Sequence, residues 1–127
     1  MKYAIQVNGG PGQTQSAHTA YQFIKAALAE GHEITRMFFY HDGVLHGFGP
    51  SRRASSDAGA APDWSALAAS HGMDLVLCAS AASRRGLLPM EETAWPDAPM
   101  AAGFRIGGLG QWVEACLKAD RILVFGG

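Results

Sequence analysis

The sequence predicts a single α/β domain in which five strands form a mainly parallel sheet with helices on both faces. Three observations support this fold class. Short apolar runs alternate with longer amphipathic stretches, which is the order typical of a parallel sheet covered on both sides. The length of 127 residues is enough for one domain with a substantial core and too short for two. The composition, 48% hydrophobic and 17% charged residues, is that of a globular protein.

The first part of the chain predicts a strand, a helix and a second strand. The apolar run at residues 3–7 ends in a turn-rich segment, Asn8 to Gly12. A helix is expected over Thr14–Ala29, with the threonine as N-cap, because apolar residues recur there at helical spacing. Gly31 stands where a glycine commonly ends a helix. The second strand is expected over Glu33–Tyr40.

The rest of the chain repeats this alternation after an irregular segment. Residues 41–62 are rich in glycine and serine and show no apolar period, so we expect a long loop. Apolar runs then predict three further strands, at residues 73–78, 104–106 and 121–125. The remaining expected elements are a short helix capped by Asp63, a helix at 79–86, an irregular segment at 88–103 and a last helix at 109–119 with Leu109, Trp112, Val113 and Cys116 on its apolar face.

Charge and cysteine content exclude several functional classes. The net charge is −1, with 10 basic and 11 acidic residues, so no basic excess indicates direct nucleic-acid binding. The two cysteines, Cys78 and Cys116, form no CxxC pair, which excludes a dithiol motif and a cysteine-based zinc cluster. The five histidines show no metal-ligand spacing. Unpaired cysteines, together with the lack of a signal-like or membrane-spanning apolar run, predict a cytoplasmic protein.

Cys78 is the strongest candidate for chemistry. It closes an apolar strand and directly precedes the helix expected over Ala79–Gly86. Ligands bind at the carboxyl ends of parallel strands, and the N–H groups and dipole of a helix N-terminus favour a thiolate. A buried core cysteine is the alternative, because free cysteines are among the most buried residues. For Cys116, on an apolar helix face, the core role is favoured, so we expect Cys78 to alkylate faster.

The other strand ends carry weaker candidates. His41 and Asp42 could be a general base and its orienting carboxylate, but adjacent residues rarely face each other. Arg84 and Arg85 could stabilise a thiolate or bind an anion, or only complement the helix dipole. Residues Gly9–Ser16 could bind a phosphate at a helix N-terminus. They lack the P-loop lysine and the G-x-G-x-x-G spacing, so a plain strand-to-helix turn is favoured over a flavin or nucleotide site.

Several segments together resemble the DsrE/TusD family of sulfur-relay proteins. The sequences FFYHDGV at residues 38–44 and CASAASRRG at residues 78–86 carry the resemblance most specifically. Residues 45–62 and 88–103 match least. Shorter matching stretches extend the resemblance in order over nearly the whole chain, at residues 20–23, 31–34, 108–110 and 119–121.

The resemblance implies one DsrE-like sulfurtransferase domain over residues 1–127, with a three-layer, flavodoxin-like fold. It implies that Cys78 carries sulfane sulfur as a persulfide, which must be sheltered yet reachable. It further implies assembly with two homologous small subunits into a heterohexamer, and hand-over to a carrier protein with a C-terminal cysteine. The sulfur then serves either 2-thiouridine synthesis in tRNA or dissimilatory sulfur oxidation. No metal, flavin or nucleotide is needed, because donor and acceptor bring the other thiols.

Partner contacts are expected around the cysteine. Arg84, Arg85, His41 and Asp42 are the candidate partner-binding residues. The segment 88–103 contains Met90, Trp95 and Met100 and is too apolar for an idle solvent loop, so we expect it to pack on another subunit together with residues 40–49. Two alternatives stay open: a flavin- or nucleotide-binding module that uses Gly9–Ser16, and a structural subunit in which Cys78 is inert.

Overall fold

The computed structural model describes residues 1–48, 62–87 and 100–126. Strands and helices alternate through these residues, as the sequence predicts. The elements in chain order are β1 (Lys2–Val7), α1 (Ser16–Ala29), β2 (Glu33–Phe39), a 3₁₀ helix (His41–Gly47), α2 (Trp64–His71), β3 (Leu75–Cys78), α3 (Ala79–Arg84), β4 (Phe104–Gly107), α4 (Leu109–Lys118) and β5 (Arg121–Phe125).

The five strands of the described residues form one parallel sheet in the order β4-β3-β2-β1-β5. The chain steps from β1 to β4 in one direction and then returns across the sheet to β5. Because crossover connections are right-handed, the earlier helices cover one face of the sheet and α4 covers the other. The predicted three-layer α/β fold is therefore confirmed.

Neighbouring side chains of β2 show the two faces directly. Phe39 packs against Trp64 of α2, with ring centroids 5.6 Å apart, whereas Phe38 stacks on Trp112 of α4 at 5.9 Å. Successive residues of a strand point to opposite faces, so this pair places a core layer on each side of the sheet. All four residues of β3 are buried between these layers, which explains why its sequence is an uninterrupted apolar run.

Element boundaries differ from the sequence prediction at α1. The helix begins at Ser16 with Gln15 at the N-cap, not with Thr14. The Thr14 hydroxyl oxygen instead accepts from the backbone N–H of Ser16 at 3.2 Å, in a local turn that precedes the helix. The predicted caps elsewhere are confirmed: the Asp63 carboxylate accepts from the Ala66 N–H at 3.0 Å, and Gly31 takes a positive φ of 87° after α1.

The predicted loop over residues 41–62 begins instead with an ordered 3₁₀ helix. Gly43 donates its N–H to the Tyr40 carbonyl at 2.8 Å, and a side chain at this glycine would collide with the backbone of Val7. The buried His46 donates from Nε2 to the Gly9 carbonyl at 2.9 Å. These contacts anchor a segment whose sequence shows no apolar period. Residues 49–61 and 88–99, which fall in the two predicted irregular segments, lie outside the described residues.

The predicted inner face of α4 is only partly correct. Trp112 packs on the sheet and Ala115 is buried, but Leu109 and Val113 are about half-exposed, at 48% and 54%. Leu117, one turn further on, is 81% exposed. A single helix meets the sheet along one side only, so apolar residues that extend beyond that side face solvent in the isolated chain.

A charged network fixes the amino end of β3. Asp74 accepts two hydrogen bonds from Arg105, both at 2.8 Å, and one from Arg36 at 2.7 Å. Arg36 also donates to the Gln111 carbonyl of α4 at 2.8 Å. The hydrogen bonds from Arg105, and then the one from Arg36, lower the pKa of Asp74, although burial acts in the opposite direction. The network joins β2, β4 and α4 to the amino end of β3, the strand whose other end is Cys78.

Candidate functional site

Cys78 lies at the junction between β3 and α3. It is the last residue of the strand and the N-cap of the helix, with φ −65° and ψ 119°. The residue is only 1% exposed, and its sulfur lies 3.3 Å from the Ser80 hydroxyl in the first turn of α3. The strand-to-helix position agrees with the sequence prediction. The burial means that the sulfur is sheltered in the isolated chain and that reagents reach it only when neighbouring groups move.

The cysteine side chain belongs to the α4 face of the sheet. Phe38 faces α4, and its register partner on β3 is Val76, so Val76 and then Cys78 point to the same face. The register partner of Cys78 on β4 is Gly107, which has no side chain. This leaves the position beside the cysteine open to a group from another element.

Gln111, in the first turns of α4, occupies that position. A Cβ added to Gly107 would lie 2.6 Å from the Gln111 Oε1 atom and 2.7 Å from a Val76 methyl carbon. The Oε1 atom is buried and has no hydrogen-bond partner among the described residues. Sequence reasoning missed this residue. The available signal was a polar residue four positions after a strand-ending glycine, which becomes informative only once the β3–β4 register is known.

An ion pair connects the 3₁₀ helix to α3 near the cysteine. Arg85 donates from Nε to the Asp42 carboxylate at 2.9 Å and from Nη1 to the Ala81 carbonyl at 3.1 Å. The structure therefore brings together Asp42 and Arg85, two predicted site residues that lie 43 positions apart. The guanidinium is engaged by this carboxylate, and Arg84 lies exposed on the last turn of α3.

The structure does not arrange His41 and Asp42 as a base and its orienting carboxylate. The Asp42 carboxylate pairs with Arg85, while the His41 ring packs on Tyr40 with centroids 4.1 Å apart. His41 is exposed and has a positive φ of 49°, an uncommon conformation for a residue other than glycine. We refer to His41 and Asp42, which follow β2, and to Arg84 and Arg85, at the end of the helix that follows Cys78, as the rim residues.

The side chains of the glycine-rich turn at residues 9–16 contact other residues of the same turn. The hydroxyls of Thr14 and Ser16 hydrogen-bond each other at 2.8 Å, and both would meet a side chain placed on Gly9. A cavity of about 200 Å³ lies beside it, below the roughly 300–1,000 Å³ of typical small-molecule pockets. The geometry favours a plain turn over a flavin or nucleotide site. Among the described residues, no group of three or more histidine, cysteine or acidic side chains could hold a metal ion.

Cys116 occupies a different environment from Cys78. It is partly buried on α4, where burial raises the pKa of its thiol. It is also not at a strand end, so neither its surroundings nor its backbone position favours a thiolate.

Comparison with known proteins agrees with this fold. A sequence model described as the DsrE/DsrF-like family matches residues 1–125. The chain belongs to the DsrE/DsrF-like family. It is 46% identical over 129 residues to the DsrE protein of Allochromatium vinosum, with 99% of each chain covered. It is 40% identical over 128 residues to a sulfurtransferase TusD of Salmonella paratyphi B, with 98% of this chain and 100% of the relative covered.

Another relative and a solved structure extend the comparison. The chain is 38% identical over 128 residues to sulfurtransferase TusD of Serratia proteamaculans, covering 98% of this chain and 99% of the relative. The crystal structure of the ychN protein from E. coli matches with a TM-score of 0.73 at 21% identity, covering 98% of this chain and 99% of that one. The latter supports the fold alone. Within the described ranges, none of the helices has the length and apolar character needed to cross a membrane.

Proposed function

We propose that this chain is a sulfurtransferase subunit that carries sulfane sulfur as a persulfide on Cys78. The observation that carries the proposal is the position of this thiol, at the carboxyl end of a central parallel strand and at the start of a helix. Family membership and relatives named sulfurtransferase support the same chemistry. Cys116 lacks such a position and is not proposed to take part.

Loading is a thiol exchange at sulfur. The Cys78 thiolate attacks the outer sulfur of a donor persulfide, R–S–SH. A new S–S bond forms on Cys78, the S–S bond of the donor breaks, and the donor leaves as the thiolate R–S⁻. An acceptor thiolate then attacks the outer sulfur of the Cys78 persulfide in the same way and restores the cysteine. No electrons are gained or lost overall, and a single cysteine on this chain is sufficient.

The burial of Cys78 suits a sulfur carrier. A persulfide exposed to solvent is open to oxidation and to attack by unrelated thiols, and a 1% exposed residue is protected from both. Transfer then requires that the rim around the sulfur opens when a partner docks. Opening is inexpensive at the Asp42–Arg85 pair, because partly exposed ion pairs contribute only about 0–1 kcal/mol.

We infer that the rim residues contact the acceptor. His41 and Arg84 are exposed, and the neighbouring Asp42 and Arg85 can exchange their mutual ion pair for contacts with a partner. A small carrier protein with a C-terminal cysteine fits this role, because a flexible chain end can bring a thiol to a recessed sulfur. The C-terminal carboxylate would also find the arginines nearby.

An apolar surface on the α4 side supports assembly with further subunits. Leu109, Val113 and Leu117 follow each other at intervals of four on the outer side of the helix. On the edge strand β5, Ile122 and Val124 are also about half-exposed, at 51% and 55%. Phe125 packs on Phe23 of α1, so the alternate residues of β5 belong to the α4 face.

We propose that homologous small subunits cover this apolar surface, in a heterohexamer of the kind that the sequence resemblance implies. Exposed large apolar side chains on one face commonly mark a protein–protein interface. We also propose that residues 88–103, together with residues 40–49, pack on another subunit; of these, residues 49 and 88–99 lie outside the described residues. In the described part, Met100 is 38% exposed and forms a bridge with Phe48, and Ala101 donates its N–H to the Gly47 carbonyl, so the two segments lie side by side.

The same transfer serves tRNA 2-thiouridine synthesis or dissimilatory sulfur oxidation, and we propose that it takes place in the cytoplasm, where free thiols persist. Loss of thiolated tRNA in a deletion strain would identify the first pathway. Loss of growth on reduced sulfur with normal tRNA would identify the second.

Intact-mass spectrometry after incubation with inorganic polysulfide tests the function itself. The wild-type chain should gain the mass of one sulfur atom, reversed by a mild reductant. Cys78→Ser should gain none, while the matched control Cys116→Ser should load like the wild type. Normal loading of Cys78→Ser would contradict the proposal, and an unloaded wild type would favour the structural-subunit alternative.

A further inference from the structure

The carboxamide of Gln111 takes the place of a side chain next to Cys78. Cys78 and Gly107 are register partners on neighbouring parallel strands. Because Gly107 has no Cβ, the end of the Gln111 side chain can lie directly against the sheet, 2.6 Å from where that Cβ would be. A larger residue at position 107 would expel it. The glycine and the glutamine thus act together to place a polar group against Gly107, the register partner of Cys78.

The buried oxygen of this carboxamide lacks a hydrogen-bond partner in the described part of the chain. A buried polar atom left unpaired destabilises the folded chain, and native proteins rarely keep one without a use. The neighbouring groups offer no remedy, because Val76 is apolar and Gly107 presents only its Cα. A partner that arrives during the working cycle would remove this cost.

We propose that Gln111 is a further residue of the sulfur site and that its carboxamide hydrogen-bonds the outer sulfur of the Cys78 persulfide. The inference rests on the proposed function. An S–S bond extends the cysteine by about 2.05 Å, a little less than half of the roughly 4.8 Å that separates neighbouring strands. On the other side, the Ser80 hydroxyl lies 3.3 Å from Sγ. The persulfide would then lie between two polar groups, one for each sulfur atom.

A carboxamide suits both protonation states of a persulfide. Its oxygen accepts a hydrogen bond from a neutral S–H, and its NH₂ group donates to an anionic sulfur after a half-turn of the last torsion. No bond of Gln111 is made or broken in either case. The loaded state gains a contact that the free thiol, shorter by one atom, does not make. Gln111 therefore favours retention of the sulfur until an acceptor docks.

The test measures how long loaded Cys78 keeps its sulfur. Wild type, Gln111→Leu and the control Gln22→Leu, which alters an exposed glutamine of α1, are loaded with inorganic polysulfide, freed of donor and exposed to cyanide. Cyanide removes the outer sulfur as thiocyanate, and intact mass follows the loss. Gln111→Leu should load but lose its sulfur about tenfold faster, as expected for one hydrogen bond to a charged group. Gln22→Leu should match the wild type.

A second variant separates this role from simple packing. Gln111→Glu has nearly the same size, but its carboxylate cannot donate and repels an anionic persulfide. Its sulfur loss should therefore accelerate further as pH rises, whereas that of Gln111→Leu should follow the wild-type pH profile. Equal loss rates in wild type and both variants, or equal acceleration at every pH, would overturn the role of Gln111. Failure of the wild type to load at all would instead overturn the proposed function.

Discussion

The two cysteines of this chain share a residue type and differ in everything that decides reactivity. Cys78 ends a central strand, begins a helix and is 1% exposed beside a serine hydroxyl. Cys116 is partly exposed within a helix, and burial among its neighbours raises the pKa of its thiol. One thiol stands between a strand and a helix and is sheltered, whereas the other lies within a helix and is more accessible. The comparison teaches that backbone position, and not exposure, identifies the candidate nucleophile.

The largest expected effect concerns access to the two thiols. Sequence position alone predicts faster alkylation of Cys78, but its burial in the structure leads us to expect the opposite order for bulky reagents. A large maleimide should label Cys116 at least about tenfold faster in the folded chain, because reaction at a buried group waits for local opening. Labelling at alkaline pH allows the Cys116 thiol to ionise as well, and peptide mass spectrometry gives the two rates.

The denatured chain provides the control for this labelling experiment. In concentrated urea the two rates should converge, since both thiols then face solvent. Cys78 labelling as fast as Cys116 labelling in the folded chain would show that the sulfur is reachable without opening. The contrast between a sheltered and an accessible thiol would then be wrong.

The next effect concerns the surface that surrounds Cys116. Val113→Glu combined with Leu117→Glu places two charges on the apolar side of α4, and burying them against a partner would be costly. The double variant should lower the affinity for partner subunits by at least about tenfold, measured by light scattering of the co-expressed complex.

Ala26→Glu is the matched control for assembly, because it adds a charge to an exposed apolar position of α1 on the opposite face. It should leave the complex intact. Sulfur loading of the isolated double variant should also be unchanged, since both residues are exposed on the outer side of α4 whereas Cys78 is buried. Unaltered assembly of the double variant would place the subunit interface elsewhere.

The strand ends were predictable from sequence because short apolar runs and flanking glycines report backbone geometry locally. Cys78, the Asp63 cap and the five strands were located in this way. The outer side of α4 was not, because the sequence shows that Leu109, Trp112 and Val113 are apolar but not which of them the single sheet face can cover. Gln111 and the Asp42–Arg85 pair escaped detection for a related reason: both depend on tertiary contacts between elements distant in sequence.

A smaller effect separates loading from hand-over at the rim of the Cys78 region. Arg84→Ala with Arg85→Ala should leave loading from inorganic polysulfide nearly unchanged, because the Arg85 guanidinium pairs with Asp42 and Arg84 is exposed. Transfer to the carrier protein should slow several-fold, as expected for lost charge contacts. Arg121→Ala, an exposed arginine on β5, serves as the control.

The outcome distinguishes two roles for the arginines. Slower transfer with normal loading assigns them to docking of the acceptor. A loading rate that falls as much as the transfer rate would mean that they assist the chemistry at Cys78 itself, and the docking role would be wrong.

The smallest expected effect concerns the Asp74 network, which joins the amino end of β3 to α4, the helix that contains Cys116. Asp74 holds Arg105 and Arg36, and Arg36 reaches the backbone of α4 at Gln111. Asp74→Asn should lower the free energy of unfolding by about 1–2 kcal/mol at neutral pH, allowing for partial solvent screening. Sulfur loading should be unaffected, because the change lies at the opposite end of β3 from Cys78. Urea titrations followed by circular dichroism measure the difference.

The pH dependence of that difference follows from the direction of the Asp74 shift. Its pKa in the folded chain lies below the ordinary value of 3.8, so the folded state favours the carboxylate. The stabilisation by the Asp74 carboxylate is complete at pH values above the pKa of Asp74 in the unfolded chain. It is lost as the pH falls through the lower pKa of Asp74 in the folded chain. The stability gap between wild type and Asp74→Asn should thus be constant near neutrality and close below about pH 4. A gap that persists at pH 2 would mean that packing, and not charge, makes Asp74 important to the strand beneath Cys78.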